Sequence, residues 1–260
     1  MKVTPKLAAR SFEELFPMGD DSKKVWRYMN LPGFASVLDQ KGLRFSSAEA
    51  FRKNGDPFEG AIPEAWIKWE EEETQSLKEE NAPAILGATN ATREALRKEG
   101  PWIFVNCWHI SDYESLAMWN LYAKDDASVC VQSTYGRLRR NLPKSIHVGK
   151  VEYFDHKSGQ FAPGSVFTPY MYKRHAFSHE RELRAVWFDQ TLASHSQDPP
   201  PRDHWEPVNL DDLIEKVIVR PATEKWVRDS VRQIVKVIAE KHLPSVPVEP
   251  SEIDLDPLYA

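Results

Sequence analysis

The segment His179-Glu180-Arg181-Glu182-Leu183-Arg184 concentrates residue types that can do acid–base and electrostatic chemistry. It runs directly into the apolar stretch Ala185-Val186-Trp187-Phe188. In an extended chain Glu180, Glu182 and Arg184 share one face, because side chains alternate with period two. Two carboxylates held side by side repel unless cations, hydrogen bonds or a ligand compensate them. The run is therefore either a solvated strand entrance, whose ion pairs contribute little, or the acidic part of a site. The apolar continuation predicts a buried central strand whose end opens on a cleft.

Two further groups have chemical content. In Asp56-Pro57-Phe58-Glu59, proline fixes its own φ and drives the preceding residue out of the helical region. Asp56 then projects from a stiff turn, either toward a ligand or into an Asx-type turn with Phe58 in the core. In Leu116-Ala117-Met118-Trp119-Asn120-Leu121-Tyr122-Ala123, helical spacing clusters Ser115, Met118, Trp119 and Tyr122. That stripe reads as core or as the apolar wall of a ring-binding site, since Trp119 and Tyr122 each carry a polar handle. His175 and His179 share a helical spacing but have no third ligand, so no metal is expected. No dinucleotide glycine fingerprint, Walker loop, zincin or nucleophile-elbow motif is present.

Positioning these residues requires an α+β frame. Lys24–Met29, Leu43–Ser46, Trp102–Cys107, Ser128–Gln132, Ile146–Phe154, Leu183–Phe188 and Leu213–Val219 read as strands. Helices are expected over Leu31–Leu43 with Gly42 as its stop, Pro63–Lys78, Asn90 or Thr92 to Lys98, a segment capped within Ser111–Glu114 and running through Tyr122, and Tyr135–Arg140. A last helix, capped by Thr223, carries Trp226, Val227, Ser230, Val231, Ile234, Val235 and Ile238 as its stripe. Residues 192–207, with three consecutive prolines, read as an exposed excursion. The expected organisation is an N-terminal arm or docking helix over 1–22, one domain over 23–243 with small mixed or antiparallel sheets and flanking helices, and a Pro-rich acidic tail over 244–260, read as disordered.

The 260 residues are 41% hydrophobic and 28% charged, an ordinary globular balance. A net charge of -5 supplies no electrostatic reason to expect nucleic acid as the main partner. No apolar run approaches the ~20 residues of a membrane span, and Met1 to Pro17 mixes Lys, Arg and Glu with isolated Leu and Phe, so a cytoplasmic protein is expected. Cys107 and Cys130 sit in apolar runs and read as inert buried thiols.

The chain resembles the bacterial domain of unknown function 2971 family along nearly its whole length. The matching pieces are Trp26-Arg27-Tyr28, Leu43-Arg44-Phe45-Ser46, Asp56-Pro57-Phe58-Glu59, Met118-Trp119 with Tyr122-Ala123, Val129-Cys130-Val131, Val151-Glu152-Tyr153, Lys173, Glu180–Arg184 and Val219-Arg220-Pro221. It departs from the family where Gly55 separates Asn54 from Asp56, and where Ala127-Ser128 replaces a glycine. More loosely, a strand bearing Arg, a helix, a Leu-x-Phe-Ser strand and a late Glu-x-Glu resemble the element order of ADP-ribosyltransferases. That likeness implies NAD as substrate, with Arg27 on phosphate or ribose and Ser46 as the bracing hydroxyl (Ser133-Thr134 as rival). It also implies Glu182 as the catalytic carboxylate with Glu180 beside it, and an aromatic such as Trp119 or Tyr122 on nicotinamide; Asp56 and Arg184 are read beside these as further ligand-binding residues. The expected activity is an NAD-using transferase or NAD glycohydrolase, as in a defence or toxin-like effector, with a protein acceptor not legible. Two other classes stay open: a non-catalytic domain binding a small nucleotide-like ligand or a partner, and a nuclease in which Asp56, Glu59, Glu180 and Glu182 gather Mg²⁺.

Overall fold

The computed structural model describes residues 11–54, 56–64, 67–68, 71–72, 94, 100–157, 166–189, 203–221 and 224–254. The expected helix from Asn90 or Thr92 to Lys98 and most of that over Pro63–Lys78 lie outside them, as do residues 1–10, 192–202 and 255–260.

The architecture is α+β, with a mostly antiparallel sheet at its centre. Its axis is β3 (Ile103–Ile110), almost wholly buried because both faces of the strand are covered. Along one edge β3 pairs over its full length with β8 (Glu182–Phe188), which in turn pairs with β5 (His147–Lys150). Its other edge is shared by two strands. β1 (Lys24–Asn30) pairs only at Val25↔Ile110 and Trp26↔His109, and β2 (Gly42–Ser47) only at Ser46↔Val105 and Ser47↔Phe104. Between them the sheet splits, and Asn106 to Trp108 have no strand partner on that edge among the described residues. Beyond β1 come β4 (Ser128–Thr134), β10 (Lys216–Val219) and β11 (Val248–Pro250); beyond β2 comes β9 (Asp203–Pro207).

The helix α2 (Leu31–Gln40) joins β1 to β2. The side chain of Asn30 accepts from the Gly33 N–H, Pro32 fits the first turn, and Phe34, Val37 and Leu38 are buried as their spacing predicts. Its stop is Lys41 in the left-handed region (φ 48°), and not Gly42, which opens β2. Gly42 is required for another reason: a Cβ there would stand 2.7 Å from the Glu206 carbonyl oxygen of β9.

Alternation sorts the sheet into two faces. One carries Val25, Leu43, Phe45, Phe104, Trp108, Ile110 and Leu183 into the main core. α2, α5 (Tyr135–Asn141) and α7 (Lys225–His242) pack against it. The stripe of α7 is narrower than expected: Val231, Val235 and Ala239 are buried, whereas Trp226 and Ile234 are exposed. On the other face Trp26, Tyr28, Cys130 and Ile218 pack with Met118, Trp119 and Ala123 at α4 (Leu116–Tyr122). At its far end Ile103, Val105 and Val186 pack with Phe12, Phe16, Ala48 and Met171. Between these apolar ends the same face is polar.

Several expected elements differ. Ile146–Phe154 breaks at Val151 into β5 and β6 (Glu152–Phe154), the latter pairing in a separate parallel sheet with β7 (Tyr172–Arg174). The helix cap is Ser115, not Ser111. Within the 192–207 excursion, Asp203–Pro207 is an edge strand. The tail is not an appendage up to Asp254: Val248–Pro250 extends the sheet beside β10, and Ser251 is fully buried. The end of the 1–22 arm is a docking turn, α1 (Phe12–Leu15), closed by a Ser11–Glu14 capping box.

Candidate functional site

A cleft of about 720 Å³ opens where the sheet splits. Its size is that of a small-molecule site. It is lined by Arg27, Ser46, Asp56, Tyr122, Glu180 and Glu182, six of the eight residues singled out in the sequence. Trp119 and Arg184 do not line it. Trp119 is 0% exposed, stacked edge-on against Tyr28 (4.9 Å) and donating Nε1–H to Glu114, so it is core and not a ring-binding wall. Arg184, also 0% exposed, lies behind Glu182. The alternative hydroxyls are elsewhere: Ser133 donates to the Leu213 carbonyl and Thr134 caps α5.

The carboxylate end is built around a turn. Glu180 closes a 3₁₀ run, Arg181 adopts a left-handed conformation (φ 40°), and β8 begins only at Glu182. The two glutamates therefore reach one cleft through this turn, not through strand alternation. Glu182 and Arg184 do alternate onto one face, and Arg184 Nε donates to Glu182 Oε1 at 2.6 Å. Arg184 also donates from both Nη atoms to Glu59 and from Nη1 to the Tyr170 carbonyl. Lys173, placed by β7, donates to Glu180 and, at 3.1 Å, to Glu182. Tyr122, half exposed at the rim, donates its hydroxyl to Glu180 Oε1 at 2.7 Å.

Burial by itself would raise the Glu182 pKa, but Arg184 and Lys173 outweigh it and hold the carboxyl at about 2. Burial likewise works against a charged Lys173, yet Glu182 and Glu180 keep it well above its ordinary range. The Cys107 thiol, which also lines the cleft, is pushed up by burial and by Glu182, which suits an inert thiol.

The opposite end is built by the split. Past Trp26, β1 peels away from β3, and Arg27 enters the gap. Its Nη2 lies 3.4 Å from the Arg44 carbonyl, to which Asn106 also donates at 2.8 Å. Arg27 Nη1 is buried without a hydrogen-bond partner. Burial lowers the Arg27 pKa to about 10, with Arg44 adding repulsion. Ser46 does not face a free carboxylate; its hydroxyl donates to Asp203 Oδ1 at 2.9 Å, and Arg44 pairs with Asp203 Oδ2 at 2.7 Å. Asp56 forms the Asx turn, accepting from the Phe58 N–H at 3.0 Å, and pairs with Arg174 at 2.7 Å. Phe58 is exposed under the Arg174 guanidinium instead of in the core.

The formal charges are thus separated across the cleft. At the β8 end three carboxylates (Glu59, Glu180, Glu182) share two cations (Lys173, Arg184), leaving one negative charge in excess. Asp203 and Asp56 are matched by Arg44 and Arg174. Arg27 has no carboxylate partner among the described residues. Because each acid of the Asp56–Glu59–Glu180–Glu182 set already holds a cation, the arrangement differs from a Mg²⁺ cage, whose oxygens face the ion.

Sequence reasoning missed His109 and Asp203 and assigned Lys173 no role. His109 follows Cys107 at strand period on the polar face, a signal that was present. Asp203 follows a proline run and carried none. Comparison of the chain with protein-family models, curated proteins and solved structures returns no match.

Proposed function

We propose that the cleft takes NAD and that the protein is an ADP-ribosyltransferase-like transferase or NAD glycohydrolase. The observation that carries this reading is the charge separation: a guanidinium with no carboxylate partner among the described residues, its Nη1 buried and unpaired, at one end and an excess carboxylate charge at the other. A dinucleotide offers the complement, an anionic pyrophosphate and a ribose that becomes cationic as its bond to nicotinamide breaks. Arg27 donates to the phosphate oxygens, where charge-assisted hydrogen bonds are strong. Glu182, held ionised and oriented by Arg184 and Lys173, accepts from the ribose 2′-hydroxyl and stabilises the oxocarbenium-like ring. Glu180 supports it, and the exposed ring of Tyr122 offers nicotinamide a stacking face. The resemblance to the domain of unknown function 2971 family is part of the same proposal.

A second reading, a non-catalytic small-ligand domain, is favoured by how fully Glu182 is engaged by cations. Calorimetry with NAD and an assay for nicotinamide release separate the two. Turnover in the wild type that falls at least 100-fold in Glu182→Gln supports the enzyme. Saturable NAD binding without turnover supports the second reading, and no NAD binding at all overturns the NAD reading.

A further inference from the structure

His109 is buried on the polar face of β3, and its strand partners are Trp26 on β1 and Glu182 on β8. Directly opposed residues of antiparallel strands project to the same side with Cβ atoms about 5 Å apart, so the His109 and Glu182 side chains leave the sheet side by side on the face of the cleft. His109 Nδ1 lies 2.6 Å from the Glu180 carbonyl oxygen. A carbonyl only accepts, so Nδ1 carries the proton, and Nε2 is left with its lone pair. Among the described residues Nε2 has no hydrogen-bond partner, nor is it one of the sealed, unpaired atoms; it opens on the cleft that His109 lines.

The groups facing the ring are Tyr28 from β1 (ring centres 6.4 Å apart), Cys107 on its own strand, Glu182 from β8, and Glu180, His179 and Arg181 from the turn before β8. Burial dominates this set and lowers the imidazole pKa below 6.5, with Arg181 and His179 adding to it against Glu180. A neutral imidazole with a fixed tautomer, lining the same cleft as Glu182, is the equipment of a general base.

We propose, on the NAD-cleaving reading above, that His109 Nε2 is the base that deprotonates the nucleophile. The ribose C1′–nitrogen bond breaks and its electron pair leaves with neutral nicotinamide. The oxygen of water, or of an acceptor hydroxyl, bonds to C1′. Its proton passes to Nε2, and the imidazolium returns it to solvent, while Glu182 stabilises the ribose cation. Two carboxylates are thereby freed of the base role, which suits groups tied to Lys173 and Arg184.

The test is the pH profile of nicotinamide release by wild type, His109→Asn and His109→Gln, with melting temperatures alongside. Asn keeps an amide near Nδ1 to serve the Glu180 carbonyl and removes Nε2; Gln is the second variant should Asn not fold. The expected result is a wild-type kcat/KM that declines on the acid side, below the ordinary histidine range, as His109 gains a proton in the free protein. In the variants kcat should fall about 100- to 1000-fold, with KM little changed and the acid limb gone. A variant with wild-type kcat, or a wild-type profile with no acid limb, overturns the base while leaving the NAD reading standing. Absence of turnover in the wild type overturns both.

Discussion

At the residue scale the site holds a buried carboxylate, Glu182, and a partly buried guanidinium, Arg27, and they respond differently to removal. Glu182 is satisfied by Arg184 and Lys173. Glu182→Gln leaves those cations short of a counter-charge and should cost on the order of 3 kcal/mol at neutral pH. Because the folded pKa is depressed from 4.5 to about 2, this stabilisation is fully present above pH ~4.5 and is lost as the pH falls toward 2. The deficit of the variant, read by urea unfolding at a series of pH values, should therefore shrink across that window. Arg27 is the reverse case, since its Nη1 is desolvated without a partner. Arg27→Met should raise the melting temperature, because a cation without a carboxylate partner, one of whose N–H groups is sealed and unpaired, is replaced by an apolar chain of similar length. The same change should weaken NAD binding by about 10- to 100-fold, the worth of a lost charge-assisted hydrogen bond. A variant that binds NAD as well as wild type would remove Arg27 from the site.

At the element scale the strands could be read where burial imposes a simple rhythm. The expected segments Lys24–Met29, Leu43–Ser46, Ser128–Gln132 and Leu183–Phe188 all lie within β1, β2, β4 and β8, which run one or two residues further. The rhythm failed where one segment serves two sheets, as at Val151, and where an edge strand has little apolar side to show, as at Asp203–Pro207. That edge strand matters because it brings Asp203 to Ser46 and Arg44. Gly42→Ala places a methyl 2.7 Å from the Glu206 carbonyl oxygen and should lift β9 from β2. Hydrogen exchange should then accelerate across Gly42–Ser46 and Asp203–Pro207, with β3 and β8 unchanged. Protection retained in β9 would show that the backbone accommodates the methyl.

At the scale of the whole molecule, the C-terminal segment is a structural part of the site's support. β11 covers the edge of β10, and Glu114 accepts from Ser251 Oγ and the Glu252 N–H while also holding Trp119. Trp119 in turn packs beneath Tyr28 at the foot of α4, the helix whose last residue reaches Glu180. Truncation after Leu243 should lower the melting temperature and expose Trp119, shown by a red-shifted tryptophan emission and faster quenching. Unchanged stability and emission would make the segment dispensable.

The sequence by itself determined the α+β class, most strand positions and the residue types of the site: Arg27, Ser46, Asp56, Tyr122, Glu180 and Glu182 were all legible from turn chemistry, alternation and resemblance, and all line the cleft. These are local properties, set by period and by neighbours in the chain. What only the tertiary structure decided is partnership. Trp119 and Arg184 have the right residue types but are buried behind the wall, Lys173 folds back from β7 onto Glu180 and Glu182, and Asp203 and His109 arrive from segments distant in the chain. The opening run was expected to present two carboxylates by strand alternation; a left-handed Arg181 presents them instead. Whether a charge is spent on a neighbour or left over for a ligand depends on which strands separate, and here β1 and β2 part over β3 to leave Arg27 without a carboxylate among the described residues.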